Sequence, residues 1–185
     1  MIQATIKTKF TFEEYLTYND GTDNRYELED GELIRMNPPT FRHAFIISFL
    51  TDAFMAEIRK LTLPWITLSG IGVRTSVNRS RIPDICVINR EEISNFDVSA
   101  VMESALIAVE IVSPESRTRD YRFKRSEYSV VGIPEYWIVD PTEQKVTILT
   151  LVEGFYEQIE FRGNETIISQ TFPELALTVE QVLPS

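Results

Sequence analysis

Three charged residues stand in apolar surroundings, where an unpaired charge is costly to bury. Asp84 follows Pro83 and opens the run Ile85-Cys86-Val87-Ile88, and Glu110 interrupts Leu106-Ile107-Ala108-Val109 and Ile111-Val112. Lys124 falls on a stripe with Tyr121, Tyr128 and Val131, the spacing of one helix face. Two carboxylates and a lysine converging on one sheet suit a divalent-metal site with a cationic helper. Mg²⁺ (or Mn²⁺) needs only one or two carboxylates, the rest of its shell being water and phosphate oxygen. Such an ion polarises a phosphoryl group and lowers the pKa of bound water. A lysine can orient or deprotonate that water, because burial near cations lowers its pKa and its long stem crosses a small cleft. Taken singly, each residue also admits a structural reading. Asp84 can cap a strand start, Glu110 can sit on an edge strand, and Lys124 can snorkel to solvent or pair with Asp120 or Glu127.

The elements that must position these groups follow from periodicity. Thr11 caps a short helix over 12–16, with Glu14 closing a capping box. Asp30-Gly31 marks a hairpin within 25–35. Thr40 caps a longer helix whose apolar positions are Phe45, Ile46, Phe49, Leu50, Ala53 and Phe54, with Pro64 ending it. Strands are expected over 65–68, 72–77 and 84–88, and the polar stretch 91–104 reads as loop or partial helix. Leu106 to Val112 reads as a strand covered on both faces. Ser113-Pro114 breaks it, Ser116 or Thr118 caps a helix to about Val131, and Gly132 and Pro134 stop that helix. A buried strand over 136–139 follows, then a hairpin around Glu153-Gly154 with further strands behind it. The order is that of a mixed α/β sheet. On neighbouring strands, Asp84 and Glu110 could reach one cation, because residues two apart share a face.

Length and charge bound the function. At 185 residues and 43% apolar content the chain is expected to form a single domain over 1–185. No apolar run reaches membrane-span length, and Met1 to Thr5 lacks the regions of a secretion signal, so a cytoplasmic location is expected. The single cysteine, Cys86, excludes a disulfide framework and a thiolate zinc site and reads as core. A net charge of −10 opposes general nucleic-acid binding, so any such function needs a local basic patch. The stretch Arg117, Arg119, Arg122, Lys124 and Arg125 is a candidate, with a solvated, ion-paired helix face as the alternative. Tyr121, Phe123 and Tyr128, interleaved with it, read as core packing.

Pro83-Asp84 followed by Glu110 in an apolar strand resembles the PD-(D/E)XK nuclease superfamily. More closely, the chain resembles the bacterial Uma-two family of restriction-endonuclease-like proteins within it. The likeness rests on Tyr26-Glu27-Leu28-Glu29-Asp30-Gly31-Glu32-Leu33, Arg42-His43, Arg81-Ile82-Pro83-Asp84 and Val109-Glu110-Ile111-Val112-Ser113-Pro114-Glu115-Ser116. Asp120, Lys124, Tyr128 and the run from Gly132-Ile133-Pro134-Glu135-Tyr136-Trp137 to Pro141 complete it. The resemblance implies a restriction-endonuclease-like α/β (α+β) core, a mixed β-sheet flanked by helices, with additional antiparallel strands at the N- and C-termini. It also implies a Mg²⁺- or Mn²⁺-dependent endonuclease acting on DNA, with Asp84 and Glu110 as metal ligands. The superfamily lysine usually lies two residues after the second acid, where this chain has Val112, and the resemblance moves it to Lys124. It further implies a functional role for His43, near the acids. Glu27 and Asp120 are candidate supporting acids, and Arg117, Arg119 and Arg122 candidate phosphate contacts. A homodimer is expected, since cutting both strands often takes two sites. Two rivals stand beside this reading: a catalytically silent nuclease-fold binding or assembly domain, and a metal hydrolase of a small phosphoester.

Overall fold

The computed structural model describes residues 9–97 and 101–183. The N-terminal residues read above for a secretion signal, and 98–100 of the polar stretch, lie outside them. Helix α1 (Phe12–Leu16) carries the expected capping box. Thr11 Oγ1 accepts from Glu14 N at 3.2 Å, and the Glu14 carboxylate accepts from Thr11 N at 2.8 Å. Strands β1 (Tyr26–Glu29) and β2 (Glu32–Arg35) form the hairpin. Asp30 and Gly31 both have positive φ (49° and 84°), as the tight turn requires. Helix α2 (Phe41–Lys60) starts at Thr40, whose hydroxyl accepts from His43 N, and buries Ile46, Leu50, Phe54 and Ile58 at four-residue spacing. Phe45, expected on that face, is 53% exposed, because the buried stripe is narrower than the apolar positions of the sequence suggest.

Two sheets follow. One has the order β2-β1-β5-β4-β7, with β4 (Gly72–Ser76), β5 (Arg79–Arg81) and β7 (Val101–Met102). The other has the order β11-β10-β9-β8-β6-β3. Its members are β3 (Trp65–Leu68), β6 (Ile85–Asn89), β8 (Ile107–Ile111), β9 (Glu135–Asp140), β10 (Lys145–Val152) and β11 (Phe155–Arg162). Strand β5 escapes sequence reading because Arg79-Ser80-Arg81 has no apolar period; it is buried by pairing its polar groups. The stretch 91–104, read as loop or partial helix, begins in a 3₁₀ turn over Arg90–Glu92, and the short β7 in it, parallel to β4, was not expected.

Strands β8 and β9 run parallel and are buried along their whole length. Ile107, Val109 and Ile111 pack on the α2 side, while Ala108 and Val112 pack against Tyr128 and Tyr136 on the other. A parallel pair needs a crossover, which here holds the lysine. Its helix differs from the expected one. Residues Arg119–Lys124 are π-helical, and the α-helix α3 (Arg125–Val130) follows them. Thr118 makes no side-chain cap; instead Ser113 and Ser116 bond to each other. Gly132 (φ 77°) closes the helix. Beyond the β10–β11 hairpin the expected further strands are absent among the described residues. A lone bridge, Thr166 to Thr178, and the short helix α4 (Val179–Val182) take their place. That tail is held by burial of Ile167, Phe172, Val179 and Val182, with Phe172 stacked on Phe54 at 5.5 Å, so it needs no ladder.

Candidate active site

The antiparallel β6–β8 register sets Ile85 opposite Val109, which brings Asp84, just before β6, alongside the Glu110–Ile111 step. Asp84 Oδ2 accepts from Ile111 N at 2.7 Å, and Oδ1 lies 2.8 Å from His43 Nε2 in the first turn of α2. His43, the lone histidine, is thus seated on the first acid. Glu110, 4% exposed, accepts from the Tyr128 hydroxyl at 2.6 Å through Oε1, and Oε2 meets Lys124 Nζ at 2.8 Å. The same ammonium lies 3.4 Å from Glu27 Oε1 and 3.4 Å from Asp120 Oδ1. Asp120 Oδ1 is buried without a well-aligned hydrogen bond, so the latter contact is a charge contact only. Asp120 Oδ2 accepts from Ser116.

Sequence reasoning gave Arg81 no role of its own, although it stands in the motif ending at Asp84. Its guanidinium is fully buried and forks onto Glu127 through Nε and Nη2, both at 2.7 Å. It also reaches Glu27 at 3.2 Å and Glu29 at 2.9 Å. Glu27 Oε1 takes a further bond from Ile82 N at 3.0 Å. Arg81 therefore ties the α3 turn after Lys124, through Glu127, to the strand that presents Glu27. A bidentate arginine fork holds such a geometry where lysine could not.

The electrostatics are lopsided: four carboxylates (Glu27, Asp84, Glu110 and Asp120) surround one ammonium and one imidazole. Burial drives the Glu110 carboxyl well above the usual range; Lys124 opposes this, and the nearby Asp120, Asp84 and Glu27 charges reinforce it. Burial likewise raises Asp120 against the pull of Lys124. Glu27 goes the other way, because Lys124, Arg81 and the Ile82 N–H outweigh its burial. Burial alone would depress Lys124, but Glu110, Glu27 and Asp120 raise it above its ordinary value. The expectation of a lysine with a lowered pKa is thus reversed, because its neighbours are anions. Lys124 is a fixed ammonium. Cys86, buried beneath the acids, has its thiol pushed up by burial and stays an inert core group.

A hard divalent cation fits this donor set. The donors are carboxylate oxygens only, and Glu110 and Asp120 are held in a state that added positive charge would relieve. Among the described residues no three Asp, Glu, His or Cys side chains form a ready-made cage. An ion there would be held by two carboxylates and otherwise by water and ligand oxygen.

Asp84, Glu110, Lys124, His43 and Glu27 line one open cleft of about 930 Å³. Arg119 also lines it. Arg117 is turned onto Asp140 (2.6 Å) and Glu143 (3.5 Å), and Arg122 is exposed but does not line the cleft. No helix among the described residues is long and apolar enough to cross a membrane.

Comparison with known proteins agrees with this architecture. The crystal structure of a putative nuclease from Anabaena variabilis ATCC 29413 superposes with a TM-score of 0.77 at 20% identity, covering 94% of this chain and 97% of that one. At that identity the likeness is one of fold. No curated protein matches. The model of the Uma2 family, described as "Putative restriction endonuclease", matches residues 12–180. Nearly the whole described chain, including every acid around Lys124, falls inside that match, and the chain belongs to the Uma2 family.

Proposed function

We propose that this chain is a metal-dependent endonuclease hydrolysing DNA phosphodiester bonds. The observation that carries the reading is the meeting of Asp84, Glu110 and Lys124 in one cleft, from three separate elements, with Lys124 Nζ 2.8 Å from Glu110. The family description and the nuclease-like fold support it. Asp84 and Glu110 would hold Mg²⁺ or Mn²⁺, which supplies a polarised phosphoryl group and a bound water of lowered pKa.

The chain's own residues do the rest. His43 and the Ile111 N–H each fix one oxygen of Asp84. Tyr128 fixes one oxygen of Glu110 and leaves the other toward Lys124. Lys124, a standing ammonium, steadies the scissile phosphate and orients the attacking water rather than deprotonating it. Glu27 and Asp120 keep its Nζ in place, and Arg81 keeps Glu27 in place.

A silent binding domain is the second reading, favoured by one fact: Lys124 already neutralises Glu110 internally. Incubation of plasmid and branched duplex with Mg²⁺ or Mn²⁺ separates the two. Cleavage is expected in the wild type and its loss in Asp84→Ala, Glu110→Ala and Lys124→Ala. Calorimetry that detects no divalent-ion binding to the wild type would leave only the silent domain.

A further inference from the structure

We infer that the mouth of the cleft is a backbone-binding rim for a nucleic-acid strand, built by Arg25, Arg35, Arg42 and Arg119. This rests on the nucleic-acid reading above and names the residues that would grip the polymer outside the reacting centre. Six of the thirteen arginines of this acidic chain are spent internally. Arg74, Arg79, Arg81, Arg117 and Arg162 all hold carboxylates, and Arg125 holds Gln158 and the Tyr156 carbonyl. The four rim arginines make no ion pair or side-chain hydrogen bond among the described residues. Arg59, Arg90 and Arg122 are also unpaired, but none of them lines this cleft.

The four come from three places around the opening. Arg25 and Arg35 stand at the open end of the β1–β2 hairpin, where Tyr26 pairs with Arg35 and the Arg25 carbonyl accepts from Met36 N. Arg42 is next to His43 in the first turn of α2, and Arg119 opens the π-helical turn that carries Asp120 and Lys124. The Arg25 guanidinium lies over Gly70. That glycine has positive φ (75°), and a Cβ there would run into Arg25.

Below the rim, the buried Glu27 and Glu110 are faced by Lys124, and the part-buried Asp84 by His43. Asp23 and Glu115 also border the cleft, so the rim is a set of discrete cations rather than a uniform field. One phosphate is saturated by one or two guanidinium forks. Four free forks on three elements therefore fit several phosphates along a chain, not a lone phosphoester. Contacts of this kind are blind to base identity and strongly salt-dependent.

The test is binding, separated from cleavage by working in EDTA and with Ca²⁺, using fluorescence anisotropy of a labelled oligonucleotide that spans the cleft, single- and double-stranded, and of a mononucleotide. The oligonucleotide is expected to bind far more tightly than the mononucleotide. Each single change Arg25→Gln, Arg35→Gln, Arg42→Gln and Arg119→Gln should weaken it by roughly threefold to tenfold whatever the sequence, and lower the salt slope by about 0.7–0.9. Arg59→Gln, an equal loss of charge away from the cleft, should leave affinity and slope unchanged. Equal losses in Arg59→Gln and Arg42→Gln would reduce the rim to net charge and overturn it. So would mononucleotide affinity matching that of the oligonucleotide. Wild-type self-association that disappears in the rim variants, without oligonucleotide binding, would show a second copy's acidic face as the occupant and overturn it too. If the rim variants lose binding while no substrate is ever cut, the rim stands and the nuclease reading falls. If cleavage persists in them with unchanged KM, the nuclease reading stands and the rim falls.

Discussion

Glu110 and Glu135 lie on neighbouring parallel strands, both almost wholly buried, yet the molecule treats them in opposite ways. Glu135 is saturated by neutral donors. Oε1 accepts from Trp137 Nε1 (2.6 Å) and Ser169 Oγ (2.7 Å), and Oε2 from the backbone N–H groups of Gln170 (2.9 Å) and Thr171 (2.8 Å) and the Thr171 hydroxyl (3.0 Å). Glu110 has one hydroxyl donor and a single ammonium, which it shares with two other acids. A buried carboxylate whose lone pairs are all filled by local donors is a staple that fastens the chain. One left short of donors and crowded by like charge is a candidate for taking a cation.

Three substitutions test that contrast. Glu135→Ala strands five donors against the core and should cost about 3–5 kcal/mol, a fall in melting temperature of about 6–20 °C. Cleavage per folded molecule should not change. Glu110→Gln should do the reverse, because it removes a charge from an overcrowded cluster: stability within about 1 kcal/mol of wild type by chemical denaturation, but cleavage down by about 10²–10³-fold. If Glu110→Gln unfolded the protein as Glu135→Ala does, the distinction between staple and site would fail. Tyr128→Phe is the mildest, since it takes one hydrogen bond from a buried charged group. A loss of about 1.5–3 kcal/mol in stability, with a lower kcat and a nearly unchanged KM, is expected. An unchanged kcat would make Tyr128 mere packing.

Glu110 was legible because it breaks an apolar run that offers few solvent-facing positions. Glu135 was not, because it follows Pro134 at a strand start, where an acid usually faces solvent, and all its donors but Trp137 lie 34 to 36 positions later. Arg81 was hidden for a similar reason. In a polar Arg-Ser-Arg stretch nothing local marks it as fully buried, and its partner Glu127 is 46 residues away. The hairpin turn, the caps of α1 and α2 and the end at Gly132 were readable, because each depends on residues within one turn of the chain. The π-helical turn over Arg119–Lys124 was not, since the stripe of Tyr121, Lys124, Tyr128 and Val131 reads as ordinary α-helix.

By itself the sequence determined the main strands and helices that flank the site, and which acids and which lysine stood in apolar company. Those properties are periodic, and periodicity is local. Only the tertiary structure decided that Asp84 faces the Glu110 strand, that Lys124 is encircled by anions rather than cations, and that the cleft is lined by Arg25, Arg35 and Arg42 together with Arg119 alone of the basic stretch from Arg117. The physical reason is that charge acts through space. A group's protonation and partners depend on what the β6–β8 register, the β8–β9 crossover and the β1–β2 hairpin bring within a few ångströms, and none of those distances is written in neighbouring residues.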